Sequence, residues 1–66
     1  MQVQINGEAH DIDGGLTVAG LVERLQLDVR KIAVERNREI VSRSAYGSVA
    51  LTEGDALEIV GFVGGG

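Results

Sequence analysis

The chain of 66 residues lacks cysteine, proline and tryptophan, and it has only one tyrosine and one phenylalanine. Without cysteine it can form neither a disulfide bond nor a thiolate metal site. It also lacks the run of about 18 apolar residues that a membrane span needs, and it has no basic-then-apolar signal peptide. We therefore expect a cytoplasmic protein with no membrane partner, and the short length predicts one domain with a small core.

Basic residues are also scarce, since six Lys and Arg stand against ten Asp and Glu and give a net charge of −4. Nucleic-acid binding needs a basic face, so we expect no nucleic-acid partner. The single histidine, His10, is expected at the surface, and Ser42, Ser44 and Ser48 have no plausible base beside them, so we expect no serine-histidine-aspartate triad. Gly14-Gly15 fits neither of the glycine-rich phosphate-binding patterns and predicts a plain turn. We predict no catalytic residue and no metal site.

The first half of the chain has the pattern of a hairpin followed by a helix. Residues 1–5 alternate apolar and polar side chains, and Asn6-Gly7 predicts a type I′ turn into a second strand over 8–12. A helical spacing of apolar residues covers 16–27. Thr17 is the expected N-cap. A glycine inside that helix, Gly20, predicts that a neighbouring backbone approaches closely.

The second half of the chain predicts short strands around turns. These segments are strands over 32–35 and 39–41, an Asn37-Arg38 turn, an irregular stretch over 42–47, a short extended piece over 49–51 and a last strand over 56–63. A hairpin, one helix and later strands predict an α+β fold. In it, a mixed sheet of four to five strands has the helix packed across one face. We expect the domain to cover 1–63 and residues 64–66 to form a flexible tail.

The tail, Gly64-Gly65-Gly66, predicts a reactive end. Three glycines make an arm about 10 Å long, at about 3.3–3.6 Å per residue, which can enter a tunnel that any Cβ would block. A carboxylate at its tip is ionised at neutral pH and is a poor electrophile until a partner enzyme activates it with ATP. It could then accept an amine or a sulfur. Because no cysteine is present to hold a persulfide, any sulfur carried in this way must sit on the terminus.

The last strand also predicts a docking surface beside the tail. Leu57 and Ile59 alternate with Glu58, Val60 and Phe62. If the first pair faces the helix, the other three side chains lie on the open face of the sheet, where exposed apolar residues mark contact sites. We predict that Val60 and Phe62 anchor a partner enzyme, with Glu58 beside them.

Three segments resemble the ThiS family, the sulfur carrier proteins of bacterial thiamine biosynthesis, which have the β-grasp or ubiquitin-like fold. They read A-V-x-x-N-x-x-I-V over 33–41, E-G-D-x-x-E-I-V over 53–60 and F-V-G-G-G over 62–66. The resemblance extends over essentially the whole chain. One departure is Ser42, where many members carry proline.

The resemblance implies a carrier that is a cosubstrate and not an enzyme. A ThiF-like adenylyltransferase would use ATP to adenylate the carboxylate of Gly66. Sulfur drawn from cysteine through a desulfurase would then convert it to a thiocarboxylate, which a ThiG-like thiazole synthase would accept. Gly65 and Gly66 match the diglycine of the family, and Gly64 extends the same arm. The chain itself would bind no cofactor.

Three other functions are also compatible with the sequence. A ubiquitin-like modifier would share the activation step but join Gly66 to lysine side chains. A small subunit of molybdopterin synthase would also end in Gly-Gly, although such subunits are usually longer and carry proline and more aromatic residues near the tail. In a small binding module the tail would not take part in function, so blocking the carboxylate of Gly66 would have little effect on binding.

Overall fold

The computed structural model describes residues 1–61. These residues form five strands, one α-helix and two short 3-10 helices. The strands are β1 (Gln2–Ile5), β2 (Glu8–Asp11), β3 (Ile32–Arg36), β4 (Glu39–Val41) and β5 (Ala56–Gly61); α1 covers Val18–Arg24, and the 3-10 helices cover Val29–Lys31 and Arg43–Ala45. The predicted domain end at residue 63, together with Phe62 and the tail Gly64–Gly66, lies outside the described residues.

The five strands form one mixed sheet in the order β2-β1-β5-β3-β4. β5 occupies the centre, where it runs parallel to β1 and antiparallel to β3. The two hairpins, β1–β2 and β3–β4, form the antiparallel flanks. This arrangement confirms the predicted α+β class and gives the upper of the two predicted strand numbers.

Both hairpins turn through two residues with positive φ. Asn6 and Gly7 have φ values of 51° and 85°, and Asn37 and Arg38 have values of 53° and 69°. Two consecutive positive φ values are what a type I′ turn requires, because its twist matches that of the flanking strands. Both predicted turns are therefore confirmed, the second with an arginine where glycine is the favoured residue.

Helix α1 begins where the sequence predicts. The Oγ1 atom of Thr17 accepts a hydrogen bond of 3.1 Å from the backbone N–H of Gly20, which satisfies one of the free donors of the first turn. Val18, Leu21 and Val22 form its buried side and pack into the core. The helix is too short to be stable alone, so this apolar contact with the sheet holds it in place.

The end of α1 differs from the prediction. The helix stops at Arg24 because Gln26 adopts a φ of 60°. The N–H groups of Gln26 and Leu27 then bond to the carbonyl oxygens of Glu23 and Val22, at 2.9 and 3.1 Å. This is the Schellman arrangement, which usually has glycine at the left-handed position. The predicted span 16–27 was therefore too long, since a glutamine gives no signal of a helix end.

The expectation for Gly20 was wrong. A Cβ atom at this position would lie 2.9 Å from Cδ2 of Leu16 and 3.5 Å from Oγ1 of Thr17, and no neighbouring backbone lies close to it. The glycine instead makes room for a leucine side chain that precedes the helix.

The core lies between α1 and one face of the sheet. Its buried side chains come from the strands, the helix and the loops: Val3, Ile5, Ile12, Val18, Leu21, Val22, Ile32, Val34, Tyr46, Leu51 and Leu57. Tyr46 belongs to the stretch that we predicted to be irregular, and it is only 4% exposed. The predicted extended piece over 49–51 forms a bridge between Ala50 and Thr17, so this segment closes the core beside the helix.

No helix within residues 1–61 has the length and apolar character that crossing a membrane requires.

Candidate functional site

The central strand β5 presents two different faces. Leu57 is buried and Ile59 packs against the core, whereas Glu58 and Val60 point to the opposite side and are exposed. Val60 is 57% exposed, which is unusual for a large apolar side chain on a central strand. The alternation predicted from the sequence therefore holds for these four residues. Phe62, the third predicted docking residue, lies outside the described part of the chain.

Cross-strand pairing extends this surface over three strands. Val60 lies opposite Ala33, and Glu58 lies opposite Glu35, which in turn lies opposite Ile40. Residues directly opposite one another lie on the same side of a sheet. We call these five residues the docking face. Ile40 is 79% exposed, so two of the three large apolar side chains exposed within residues 1–61 belong to this face.

Glu35 and Ile40 were not predicted as part of the site. Their alternation within β3 and β4 could have placed them on the open side of the sheet, but the sequence alone did not show which strands lie beside β5. The sheet order β5-β3-β4 supplies that information.

The end of β5 that leads to the tail is held by Asn6. The Nδ2 atom of Asn6 donates to the carbonyl of Ile59 at 3.1 Å, and its Oδ1 accepts from the N–H of Ile59 at 2.8 Å. β1 pairs with β5 only as far as Leu57. Beyond that point, the side chain of Asn6 supplies the hydrogen bonds to β5 in place of the β1 backbone. This contact fixes the strand immediately before Val60 and the tail.

The start of β5 is held by a buried carboxylate. Asp55 is 4% exposed and accepts hydrogen bonds from Arg36 Nε at 2.8 Å and from Asn37 Nδ2 at 3.1 Å. The backbone N–H and the hydroxyl of Thr52 donate to it at 2.9 and 3.0 Å. Burial raises the pKa of Asp55, but the bonds from Arg36, Thr52 and Asn37 outweigh this and lower the pKa to about 2. The carboxylate is therefore ionised and joins the β3–β4 turn to β5.

His10, which we expected at the surface, and the acidic side chains are the remaining candidates for chemistry within residues 1–61. His10 is half-buried on β2, with its Nε2 atom 3.8 Å from Oε1 of Glu8. Within residues 1–61, no group of three or more His, Cys, Asp or Glu side chains is placed to hold a metal ion. A groove of about 400 Å³ lies beside the C-terminal part of α1 and the segment that follows it, and it is lined by Ala19, Val22, Glu23, Leu27, Asp28 and Val29.

Comparison with known protein families shows which family the chain belongs to. The model of the ThiS family matches residues 3–66, which is nearly the whole chain. The chain belongs to the ThiS family. A solved structure of the thiamine biosynthesis protein ThiS from Geobacter metallireducens superimposes on it with a TM-score of 0.86. That protein is 33% identical and covers 100% of both chains. The fold is therefore the β-grasp that the resemblance implied.

Known relatives of this ThiS family member differ in length. The sulfur carrier protein ThiS of Bacillus subtilis is 44% identical over 50 residues, which are 76% of each chain. A thiazole synthase of Paramagnetospirillum magneticum is 52% identical over all 66 residues, and one of Magnetococcus marinus is 47% identical. The chain spans about a fifth of the length of these two thiazole synthases, at 20%.

The motifs that resemble the family include residues with structural contacts and residues whose role is predicted to be chemical. Asn37 and Asp55 meet each other and the start of β5, so their contacts are structural. The tail residues Gly64, Gly65 and Gly66 lie outside the described residues, and their role stays a prediction. Ser42 has a φ of −67°, close to the value that proline would impose, so the backbone at this position already has the φ that the family's proline requires.

Proposed function

We propose that this protein is a sulfur carrier of thiamine biosynthesis and has no catalytic activity of its own. The observation that carries the proposal is the match to the ThiS family over residues 3–66, because it includes the three glycines of the tail. The relative from Bacillus subtilis is itself named a sulfur carrier protein. The exposed apolar side chains of the docking face agree with a protein that acts by binding enzymes in turn.

The chemistry takes place at the carboxylate of Gly66. An oxygen of this carboxylate attacks the α-phosphorus of ATP and displaces pyrophosphate, which leaves an acyl-adenylate. Hydrosulfide, HS−, then attacks the carbonyl carbon and displaces AMP, and loss of its proton leaves a thiocarboxylate. The thiocarboxylate sulfur forms a bond to a carbon of the growing thiazole ring, and water then cleaves the C–S bond at Gly66, which regenerates the carboxylate. The proposal requires a free carboxylate on Gly66, and ATP belongs to the activating enzyme because the chain is proposed to bind no cofactor.

The proposed partners follow from these steps. A ThiF-like adenylyltransferase performs the activation in the cytoplasm, a desulfurase supplies sulfur that originates from cysteine, and a ThiG-like thiazole synthase accepts it. Support for the last partner comes from the two thiazole synthases, each of which contains a segment similar to this whole chain. Carrier and acceptor sequences therefore occur within a single polypeptide in those relatives.

Docking is proposed to use the face beside the tail. Val60 and Phe62 anchor the activating enzyme, with Glu58 beside them, while Gly64 and Gly65 pass through a narrow channel that leads Gly66 to ATP. The exposed position of Val60 on a strand held at both ends supports this assignment. Because the strand is held at both ends, the docking residues on it keep a fixed distance from the point where the arm begins.

Extension of the chain by one residue after Gly66 tests the proposal. We expect the extended protein to form no thiocarboxylate, because the carbon that must be activated is then part of a peptide bond. The matched control carries the same added residue before Met1, which leaves the carboxylate of Gly66 free. It should form the thiocarboxylate at the wild-type rate. Thiazole formation at the wild-type rate by the extended protein would favour a binding module instead.

A further inference from the structure

The docking face contains two carboxylates that repel each other. Glu35 on β3 and Glu58 on β5 are directly opposite in the antiparallel register, and both are exposed. Like charges placed directly opposite on one face of a sheet destabilise the pair of strands. A sheet that only needed to be stable would gain from a neutral or basic residue at either position.

Neither glutamate forms an ion pair with a residue of the described part of the chain. The five ion pairs within residues 1–61 involve other carboxylates, and those of Asp13, Asp28 and Asp55 each pair with an arginine. Residues 62–66 contain no basic side chain that could reach the pair. The chain therefore has an unpaired acidic site in the centre of its docking face.

Apolar side chains flank the acidic pair on both sides. Val60 and Ala33 form the next cross-strand pair toward the tail, and Ile40 lies beside Glu35 on β4. A long basic side chain fits such a surface, because its aliphatic stem can lie on apolar atoms while its charged end meets the carboxylates. A guanidinium suits two carboxylates best, since its five N–H donors spread in a plane.

We propose that an arginine of the adenylating enzyme binds between Glu35 and Glu58, with its stem over Val60 and Ala33 and an apolar neighbour over Ile40. This inference rests on the proposed function and adds the chemistry by which the partner recognises the carrier. A second copy of the chain is a poor occupant, because two such faces would bring four glutamates together. The charge of the pair selects a basic protein surface.

The test measures carrier-dependent ATP–pyrophosphate exchange by the adenylating enzyme with Glu35→Gln, Glu58→Gln and the double variant. Each single change should raise the KM for the carrier about tenfold, as expected for the loss of one charge-assisted hydrogen bond, and leave kcat unchanged. The salt dependence of kcat/KM should become weaker. Glu23→Gln, which removes an exposed carboxylate on α1 and away from the docking face, is the matched control and should change neither quantity.

A second measurement separates docking from folding. Glu35→Gln and Glu58→Gln should each raise the midpoint of urea unfolding of the free protein, because the repulsion is removed, although both weaken binding. Variants that keep the wild-type KM and salt dependence would overturn the proposed arginine contact while exchange by the wild-type carrier still supports the proposed function. Absence of exchange with the wild-type carrier would overturn both.

Discussion

Among the single residues, Asp55 is a buried charge whose hydrogen bonds offset the cost of removing it from water. It is the only charged side chain buried within residues 1–61, and its two oxygens accept four hydrogen bonds from three residues. A buried carboxylate with so many donors is much more stable ionised than protonated. The free energy of unfolding therefore depends on its charge.

Acid should weaken the protein through Asp55. The pKa of Asp55 is lowered to about 2 in the folded protein, and it returns to its ordinary value, about 3.9, in the unfolded chain. The stabilisation is complete above the ordinary value and is lost as the pH falls toward the folded value. We expect about 2 kcal/mol to disappear between about pH 5 and pH 2, as measured by urea unfolding.

The variant Asp55→Asn identifies the source of this pH dependence. It should be less stable at neutral pH, because an amide cannot accept from all the donors, and it should lose less stability in acid than the wild type. The exposed Glu39→Gln is the control and should keep the wild-type slope. An Asp55→Asn variant with the full acid dependence would show that other carboxylates are responsible.

At the scale of elements, β5 is held at both ends by asparagines from the two hairpin turns. Asn6 bonds to both backbone groups of Ile59, and Asn37 accepts from the N–H of Ala56 at 2.9 Å. Both asparagines have positive φ. The left-handed conformation thus makes the turn and also places each side chain against the central strand.

Replacement of Asn6 separates these two roles. Asn6→Gly introduces a residue that also adopts positive φ readily, but it removes both hydrogen bonds to Ile59. We therefore expect a loss of about 1–2 kcal/mol in the free energy of unfolding. Asn6→Asp is the comparison, because it keeps the acceptor and replaces the donor with a repelling oxygen, and it should also destabilise. Urea unfolding measures both. A glycine variant as stable as the wild type would show that Asn6 serves the turn alone.

The elements differ in how far the sequence predicts them. Asn6-Gly7, the alternation of β5 and the N-cap Thr17 are local signals, and the structure confirms all three. The helix end at Gln26 has no such signal, since a glutamine with positive φ departs from its usual conformation. The sequence also gave no indication that Leu16 fills the space beside Gly20.

The candidate site was only partly predictable for a different reason. The alternation within one strand placed Glu58 and Val60 on the open face, but Glu35 and Ile40 join them through the pairing of distant strands. The contact between Asn37 and Asp55 is likewise set by the sheet, across 18 residues of chain. Both residues belong to the motifs that resemble the family, and the structure shows that their contacts stabilise the fold.

In the whole molecule, the two faces of the one sheet have different functions. One face and α1 bury the core, whereas the other face stays open and carries the docking residues beside the strand that leads to the tail. A domain of 66 residues has little interior to enclose a substrate. Its proposed task needs none, because the partner enzymes supply the enclosed sites and the carrier brings the reacting carboxylate to each.

The intact mass of the protein after incubation with ATP, a sulfide source and the adenylating enzyme tests the sulfur carrier function most directly. We expect a mass gain equal to the replacement of one oxygen by one sulfur, located by fragmentation at Gly66. Omission of ATP should leave the mass unchanged. Branched adducts between Gly66 and lysine side chains, with no sulfur gained, would contradict the sulfur carrier and show a protein modifier instead.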